Sequence, residues 1–240
     1  MKVIIVEDYE EMSRVAADMI AEVVRSNPNA TLGLATGSTP IGCYKLLADF
    51  CAGKRLSFKS VKAVNLDEYV GLPAAHKQSY AYFMRRNLFD HIDINLNNTA
   101  IPNGCAADVD EECAHYEALL ASLPRDVQVL GLGSNGHIGF NEPNTPFDSS
   151  THSVELAAST VADNARLFDD PDEVPKRAIT MGIADIMQAR KIILLASGAN
   201  KARAVFNLVK GDVTPQCPAS VLQRHPDCVV VIDKAAGALL

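Results

Sequence analysis

The sequence has no tryptophan, only 6% aromatic residues and no two cysteines at Cys-x-x-Cys spacing. Its six cysteines (Cys43, Cys51, Cys105, Cys113, Cys217 and Cys228) therefore offer no zinc-ribbon or dithiol motif. Most lie in apolar or helix-like segments and read as reduced packing residues. His115 beside Cys113 is a lone couple on a polar stretch, so no metal site is expected. Cations are in the minority: 22 Lys and Arg against 29 Asp and Glu leave a formal charge of −7. They are also scattered, which excludes the clustered basic surface that a nucleic-acid partner requires. No apolar run approaches the ~20 residues that cross a bilayer. Val3–Val6 is too short for a signal-peptide core, so no membrane partner and a cytoplasmic location are expected. What is present is 48% apolar residues over 240 positions. A chain of this length buries roughly 70% or more of its unfolded surface without disulfides or a structural metal. The expectation is a single α/β domain over 1–240, with 150–177 as a candidate mobile lid and a small molecule as partner.

Short β-branched runs alternate with amphipathic stretches, the pattern of an open, mainly parallel α/β sheet with helices on both faces, Rossmann-like in type. The spacing predicts strands at Lys2–Val6, Thr31–Ala35, Val61–Asn65, Val127–Gly131, Lys191–Ala196 and Cys228–Ile232. Each is nearly continuous in apolar residues, as strands covered on both faces are. Met12, Val15, Ala16, Met19, Ile20 and Val23 recur at helical steps, and Ala202, Val205, Phe206 and Val209 repeat the stripe. Further helices are expected at Ile41–Cys51, Tyr80–Leu88 and Val109–Leu123. From Asn141 to Pro175 the rhythm breaks into a polar stretch punctuated by four prolines. Composition reads it as a solvated excursion; a cover over a site is the sharper alternative.

Ligands of open α/β sheets bind beyond the carboxyl ends of the strands, so the loops after Ala35, Asn65, Gly131 and Ala196 are where chemistry is sought. The first reads Thr36-Gly37-Ser38-Thr39-Pro40. Thr39 stands where an N-cap belongs and Pro40 where a first helical residue belongs, leaving backbone N–H groups and two hydroxyls to cradle a phosphate. An ordinary capped turn would use the same residues. The second carries Asp67-Glu68, two adjacent carboxylates in an extended segment, of which at most one faces a pocket. A carboxylate there could take a proton from carbon next to a carbonyl; a solvated acidic turn is the bland alternative.

After Gly131 the chain continues Leu132-Gly133-Ser134-Asn135-Gly136-His137-Ile138-Gly139-Phe140-Asn141-Glu142-Pro143. The Gly-x-Gly-x-x-Gly spacing is met, but Phe140 to Pro146 has two prolines and no helical stripe, so no dinucleotide cofactor is expected. His137 is the one side chain there that exchanges protons near neutral pH, and Glu142 could orient it. The last turn, Ser197-Gly198-Ala199-Asn200-Lys201, puts a lysine at a helix start, where the dipole disfavours it unless an anion lies between. Arg166, in the polar excursion, could close on the same anion. A structural histidine and two solvated cations are the alternatives.

Taken together, Leu34 to Pro40, Asn65 to Leu72 and Gly131 to Pro143 resemble the signature of the glucosamine-6-phosphate deaminase family. Val174-Pro175 before Ala178 to Gly182, the Ser197 to Ala202 turn and Ser220 to His225 extend the resemblance nearly end to end. It implies a parallel α/β fold with a lid, conversion of glucosamine 6-phosphate to fructose 6-phosphate and ammonia, and neither metal nor organic cofactor. It further implies that His137 with Glu142 and Asn135 opens the sugar ring and that Asp67 moves the C2 proton. Thr36, Gly37, Ser38, Thr39, Lys201 and Arg166 would hold the phosphate.

Two departures stand out. Longer members of the family have aspartate where this chain has Asn135, an amide that can hydrogen-bond His137 but cannot offset its charge. Longer members also have a basic Arg-x-Lys element where this chain reads His152-Ser153-Val154, so allosteric activation by an N-acetylated sugar phosphate is expected to be absent. A 6-phosphogluconolactonase shares the fold but continues differently after the histidine. A sugar-phosphate sensor should lose the base, which this chain keeps. Self-association stays open, because interface stripes and core stripes look alike in sequence.

Overall fold

The computed structural model describes residues 1–156, 161, 168 and 173–240. Its main sheet is parallel throughout and has seven strands in the order β1-β10-β9-β6-β2-β3-β5. These are β1 (Lys2–Val6), β2 (Thr31–Leu34), β3 (Lys62–Asn65), β5 (Thr99–Ala100), β6 (Val127–Gly131), β9 (Ile192–Ala196) and β10 (Cys228–Asp233). All residues of β2, β9 and β10 are buried. Because successive side chains alternate between faces, both faces of these strands are covered. The apolar runs in the sequence thus locate the central strands to within a residue. The core they build contains Leu32, Val129, Ile193, Leu195 and Val230, each worth about 1.5–3 kcal/mol if fully buried.

The flanking helices are α1 (Tyr9–Ser26), α2 (Ile41–Ala52), α3 (Tyr80–Asn87), α4 (Val109–Ser122), a short α5 (Ile183–Ile186) and α6 (Ala202–Lys210). Helix α1 starts where the Asp8 side chain accepts the Glu11 N–H at 2.8 Å, and Met12, Ala16, Ile20 and Val24, four apart, form its buried stripe. The start of α2 differs from expectation. Pro40, in αR conformation, is the cap residue, Ile41 is the first helical residue, and no side chain caps the turn, so Thr39 keeps its hydroxyl free of that task.

A second sheet of three antiparallel strands, β4 (Asp67–Tyr69), β8 (Arg177–Thr180) and β7 (His152–Glu155), stands beside the first. It has no counterpart in the apolar pattern. Both ends of the 150–177 segment are strands of this sheet, while residues 157–160, 162–167 and 169–172 lie outside the described residues. The chain reverses its winding between β6 and β2, which pair only at Leu32–Val127 and Gly33–Gln128. Beyond Gly33 these strands separate, and a crevice opens at their carboxyl ends. No described helix is long and apolar enough to cross a membrane.

Candidate active site

The crevice is a cavity of about 280 Å³ whose lining includes Thr36, Gly37, Thr39, Asp67, His137 and Lys201. Loops after four different strands of the main sheet thus converge on one space. Ser38 is exposed and outside the lining; its carbonyl accepts from the Tyr9 hydroxyl at 3.1 Å. Gly37 has φ +88, a conformation that L side chains rarely adopt. The N–H groups of Gly37, Ser38 and Thr39 find no acceptor among the described residues. The loop therefore presents free donors at the start of α2, as an anion site does.

Asp67 and Glu68 point to opposite sides, as adjacent residues of a strand must. Asp67 is 5% exposed and faces the cavity. Burial, reinforced by the charge of Glu68, pushes its carboxyl up to about 8. Glu68 instead accepts the N–H groups of Tyr69, Tyr80 and Ala81, each at 2.9 Å, and so closes the first turn of α3 together with Ser79, whose hydroxyl takes the Tyr82 N–H. A larger groove of about 640 Å³ lies behind Glu68, but the carboxylate that borders it is already occupied by these bonds.

His137 rests on Gly133, where any Cβ would come within 2.4 Å of the imidazole. Its Nδ1 lies 3.2 Å from Glu142 Oε1, a bent contact that becomes an ion pair when the ring is protonated. Asn135 Nδ2 donates to Glu142 Oε2 at 2.7 Å, and Asn135 Oδ1 accepts the backbone N–H of His137 at 3.1 Å. Asn135 therefore reaches the imidazole through Glu142 and the backbone, and does not touch the ring nitrogens. The bond to His137, with Asn135 adding to it, holds the Glu142 carboxyl below its usual range against the opposing effect of burial. No helix follows the glycines over 132–151, in keeping with the reading against a dinucleotide fingerprint.

Three residues that sequence reasoning missed support the site, Asn141 and Thr180 from behind its wall and Tyr80 in the wall itself. Asn141, fully buried, donates from Nδ2 to the carbonyls of Ile138 and Met181, both at 2.9 Å. Met181 N in turn donates to Leu66 O at 2.7 Å, so the His137 loop is tied to the residue before Asp67. Thr180 Oγ1 accepts the Phe140 N–H at 3.1 Å. Tyr80 lines the cavity and stacks on Phe140 with ring centroids 6.2 Å apart. Only Asn141, inside the Gly139 to Pro143 block, had a sequence signal.

Lys201 lies in the first turn before α6, and burial lowers its affinity for a proton. Among the described residues it has no anionic partner. The turn preceding it is fixed by Asp233, which accepts from Ser197 Oγ at 2.5 Å and from Gly198 N at 3.0 Å. Arg166 lies outside the described residues. No cluster of three potential metal ligands occurs among the described residues. The arrangement combines a proton-accepting carboxyl, an imidazole held by a carboxylate, and an unpaired cation beside free N–H donors.

A family model described as glucosamine-6-phosphate isomerases/6-phosphogluconolactonase matches residues 7–231. The glucosamine-6-phosphate deaminase of Clostridioides difficile (strain 630) is 51% identical over 241 residues, covering 100% of this chain and 97% of that protein. Among solved structures, a monomeric glucosamine-6-phosphate deaminase superposes with a TM-score of 0.96 at 46% identity, with 100% of both chains covered. A 6-phosphogluconolactonase from Trypanosoma brucei gives a TM-score of 0.80 at 22% identity, over 100% of this chain and 98% of that one, a likeness of fold alone.

Proposed function

The chain belongs to the family of glucosamine-6-phosphate isomerases and 6-phosphogluconolactonases, and we propose that within it the protein isomerises and deaminates glucosamine 6-phosphate, giving fructose 6-phosphate and ammonia. The observation that carries this reading is the joint placement of Asp67, His137 and Lys201 around one cavity, with full-length relatives of that activity at about half identity. A lactonase needs a group to activate water at an ester carbonyl. A buried carboxylate could serve that need too, so what favours the deaminase is the relatedness, 51% to a deaminase against 22% to a solved lactonase.

The phosphate sits on the N–H groups of Gly37, Ser38 and Thr39, with the hydroxyls of Thr36 and Thr39 and the Lys201 ammonium around it. Arg166 joins from the segment proposed as a lid. Binding at this remote end positions the sugar carbons against Asp67. His137, with Glu142 supporting its charge, moves the proton that opens the pyranose to the C1 aldehyde. That carbonyl acidifies C2–H; Asp67 takes the C2 proton while O1 gains the proton that the substrate ammonium gives up, forming an enolamine, and Asp67 then returns its proton to C1, leaving a C2 iminium. Water adds to the iminium, and ammonia leaves. Asp67 is mostly protonated in the empty site near neutral pH, and the positive amine of the substrate at C2 favours its carboxylate form. No step calls for a metal or organic cofactor.

The His152-Ser153-Val154 segment is part of β7, where Ser153 Oγ accepts from Arg177 Nη2 at 2.8 Å. With His152-Ser153-Val154 in place of an Arg-x-Lys element, turnover follows simple saturation. The test of the function is product formation from glucosamine 6-phosphate without added metal. 6-Phosphogluconolactone hydrolysis tests the rival, and binding without turnover would identify a sensor.

A further inference from the structure

Two buried tyrosine hydroxyls sit at the two places where the main sheet comes apart around the site. Where β2 parts from β6, the N–H and C=O of Ala35 face a gap. Leu34 O is taken by Leu66 N on the β3 side, so Ala35 points the other way. Tyr44 of α2 fills that gap: its Oη accepts the Ala35 N–H at 3.2 Å and donates to Ala35 O at 2.6 Å. Where β3 outruns the short β5, Asn65 is left facing outward in the same way. Tyr116 of α4 repeats the device, accepting the Asn65 N–H at 3.1 Å and donating to Asn65 O at 2.7 Å. It also lies 3.3 Å from Ala100 O at the end of β5. One hydroxyl thus stands in for the missing neighbouring strand at each point, since an O–H group can accept and donate at once.

Neither phenol is free for other chemistry. Tyr44 is fully buried and Tyr116 2% exposed, and burial drives both hydroxyls far above their usual titration range. Both stay protonated and keep both bonds. Ala35 is the residue before the Thr36–Thr39 loop, and Asn65 stands two residues before Asp67. The exit of the same loop is held from outside by Tyr9, whose hydroxyl donates to Ser38 O at 3.1 Å and accepts from Gly42 N at 2.9 Å.

We propose that Tyr44 and Tyr116 are separate positioning residues of the reaction: Tyr44 sets the phosphate-binding loop through Ala35, and Tyr116 sets the base Asp67 through Asn65. The division of labour rests on the deaminase reading above. Tyr44→Phe and Tyr116→Phe each remove one oxygen and keep the ring. In the full-length protein Tyr44→Phe is expected to raise KM for glucosamine 6-phosphate about tenfold, with kcat within about twofold. Competition by inorganic phosphate should weaken in proportion. Tyr116→Phe is expected to lower kcat about tenfold or more with KM within about twofold, because a small displacement of the base costs the proton-transfer step. Tyr9→Phe, nearer the surface, should raise KM in the same sense as Tyr44→Phe.

Unchanged kcat and KM beside a lowered melting temperature, or the same kinetic change in both variants, would overturn the proposal. So would failure of either variant to fold, since that would make the hydroxyl a general core element. If the wild-type protein does not turn over glucosamine 6-phosphate, only the functional reading falls. Phosphate binding by wild type and Tyr44→Phe then decides the loop half. The Asp67 titration, expected to move from its raised position toward the ordinary carboxyl range in Tyr116→Phe, decides the other half.

Discussion

Glu142 holds His137 with one carboxylate oxygen, at 3.2 Å from Nδ1, and receives the Asn135 amide on the other at 2.7 Å. The imidazole is oriented by a carboxylate that is itself oriented by an amide. Glu142→Gln keeps the shape and removes the charge that supports a protonated ring. It is expected to lower kcat about 10- to 100-fold with little change in KM, as for loss of general acid–base support. Steady-state kinetics checks this; unchanged kcat would remove Glu142 from the mechanism.

Asp67, raised to about 8 by burial and by Glu68, must be ionised to take a proton. In the free enzyme kcat/KM should therefore rise with pH through a limb centred near 8. Asp67→Asn should abolish turnover. A profile flat from pH 6 to 9 would show that another group is the base.

The same shift has a cost in stability. Between the unfolded carboxyl value of 3.8 and about 8 the folded state holds a proton that the unfolded state has lost, so this group's contribution falls as pH rises across that window. At pH 9 the wild type carries a buried, unpaired charge that Asp67→Asn does not. The variant is expected to melt a few degrees higher than wild type at pH 9, with the difference shrinking toward pH 4. Thermal melts at both pH values test this, and a variant less stable at pH 9 would contradict it.

Among the described residues Lys201 has no anionic partner, and it faces the cavity beside the Thr36–Thr39 loop. Lys201→Met keeps the buried stem and removes the charge. KM for glucosamine 6-phosphate is expected to rise about 100-fold or more, and inorganic phosphate should lose its inhibition. Equal inhibition of variant and wild type would place the phosphate elsewhere.

Gly33 of β2 packs against Gln128 of β6, where an added Cβ would lie 2.0 Å from Gln128 Oε1. Gly33→Ala should destabilise the fold by about 1–3 kcal/mol through overpacking at the opening of the crevice. Because the clash is with one side chain, Gln128→Ala should recover much of the loss in the double variant. Denaturant titration of the four proteins measures the coupling, and additive losses would refute it.

The central sheet was legible because strands such as Ile192–Ala196 are covered on both faces and leave an unbroken apolar run. The second sheet was not: β4 is only Asp67-Glu68-Tyr69, and two buried carboxyls read as an acidic turn until burial and the α3 start explain them. The Thr36–Thr39 loop, Asp67, His137 and Lys201 were found from their places after strands, a rule of topology. Pro40 displaced the expected cap by one residue, since helical φ alone does not decide where a turn begins. Tyr80, Thr180 and the hydroxyls of Tyr44 and Tyr116 were invisible because their partners, such as Phe140 for Tyr80 and for Thr180 and Asn65 for Tyr116, meet them only in the folded chain. Arg166 was read from its place in the polar excursion and from the family resemblance, and it falls outside the described residues.

The most direct measurement is to incubate the purified protein with glucosamine 6-phosphate, with no metal added, and to quantify ammonia and fructose 6-phosphate beside an Asp67→Asn control. Equal amounts of the two products from the wild type, and almost none from the control, are expected. Binding of the sugar phosphate without either product, or full turnover by Asp67→Asn, would contradict the assignment of Asp67 as the base that makes this site a deaminase.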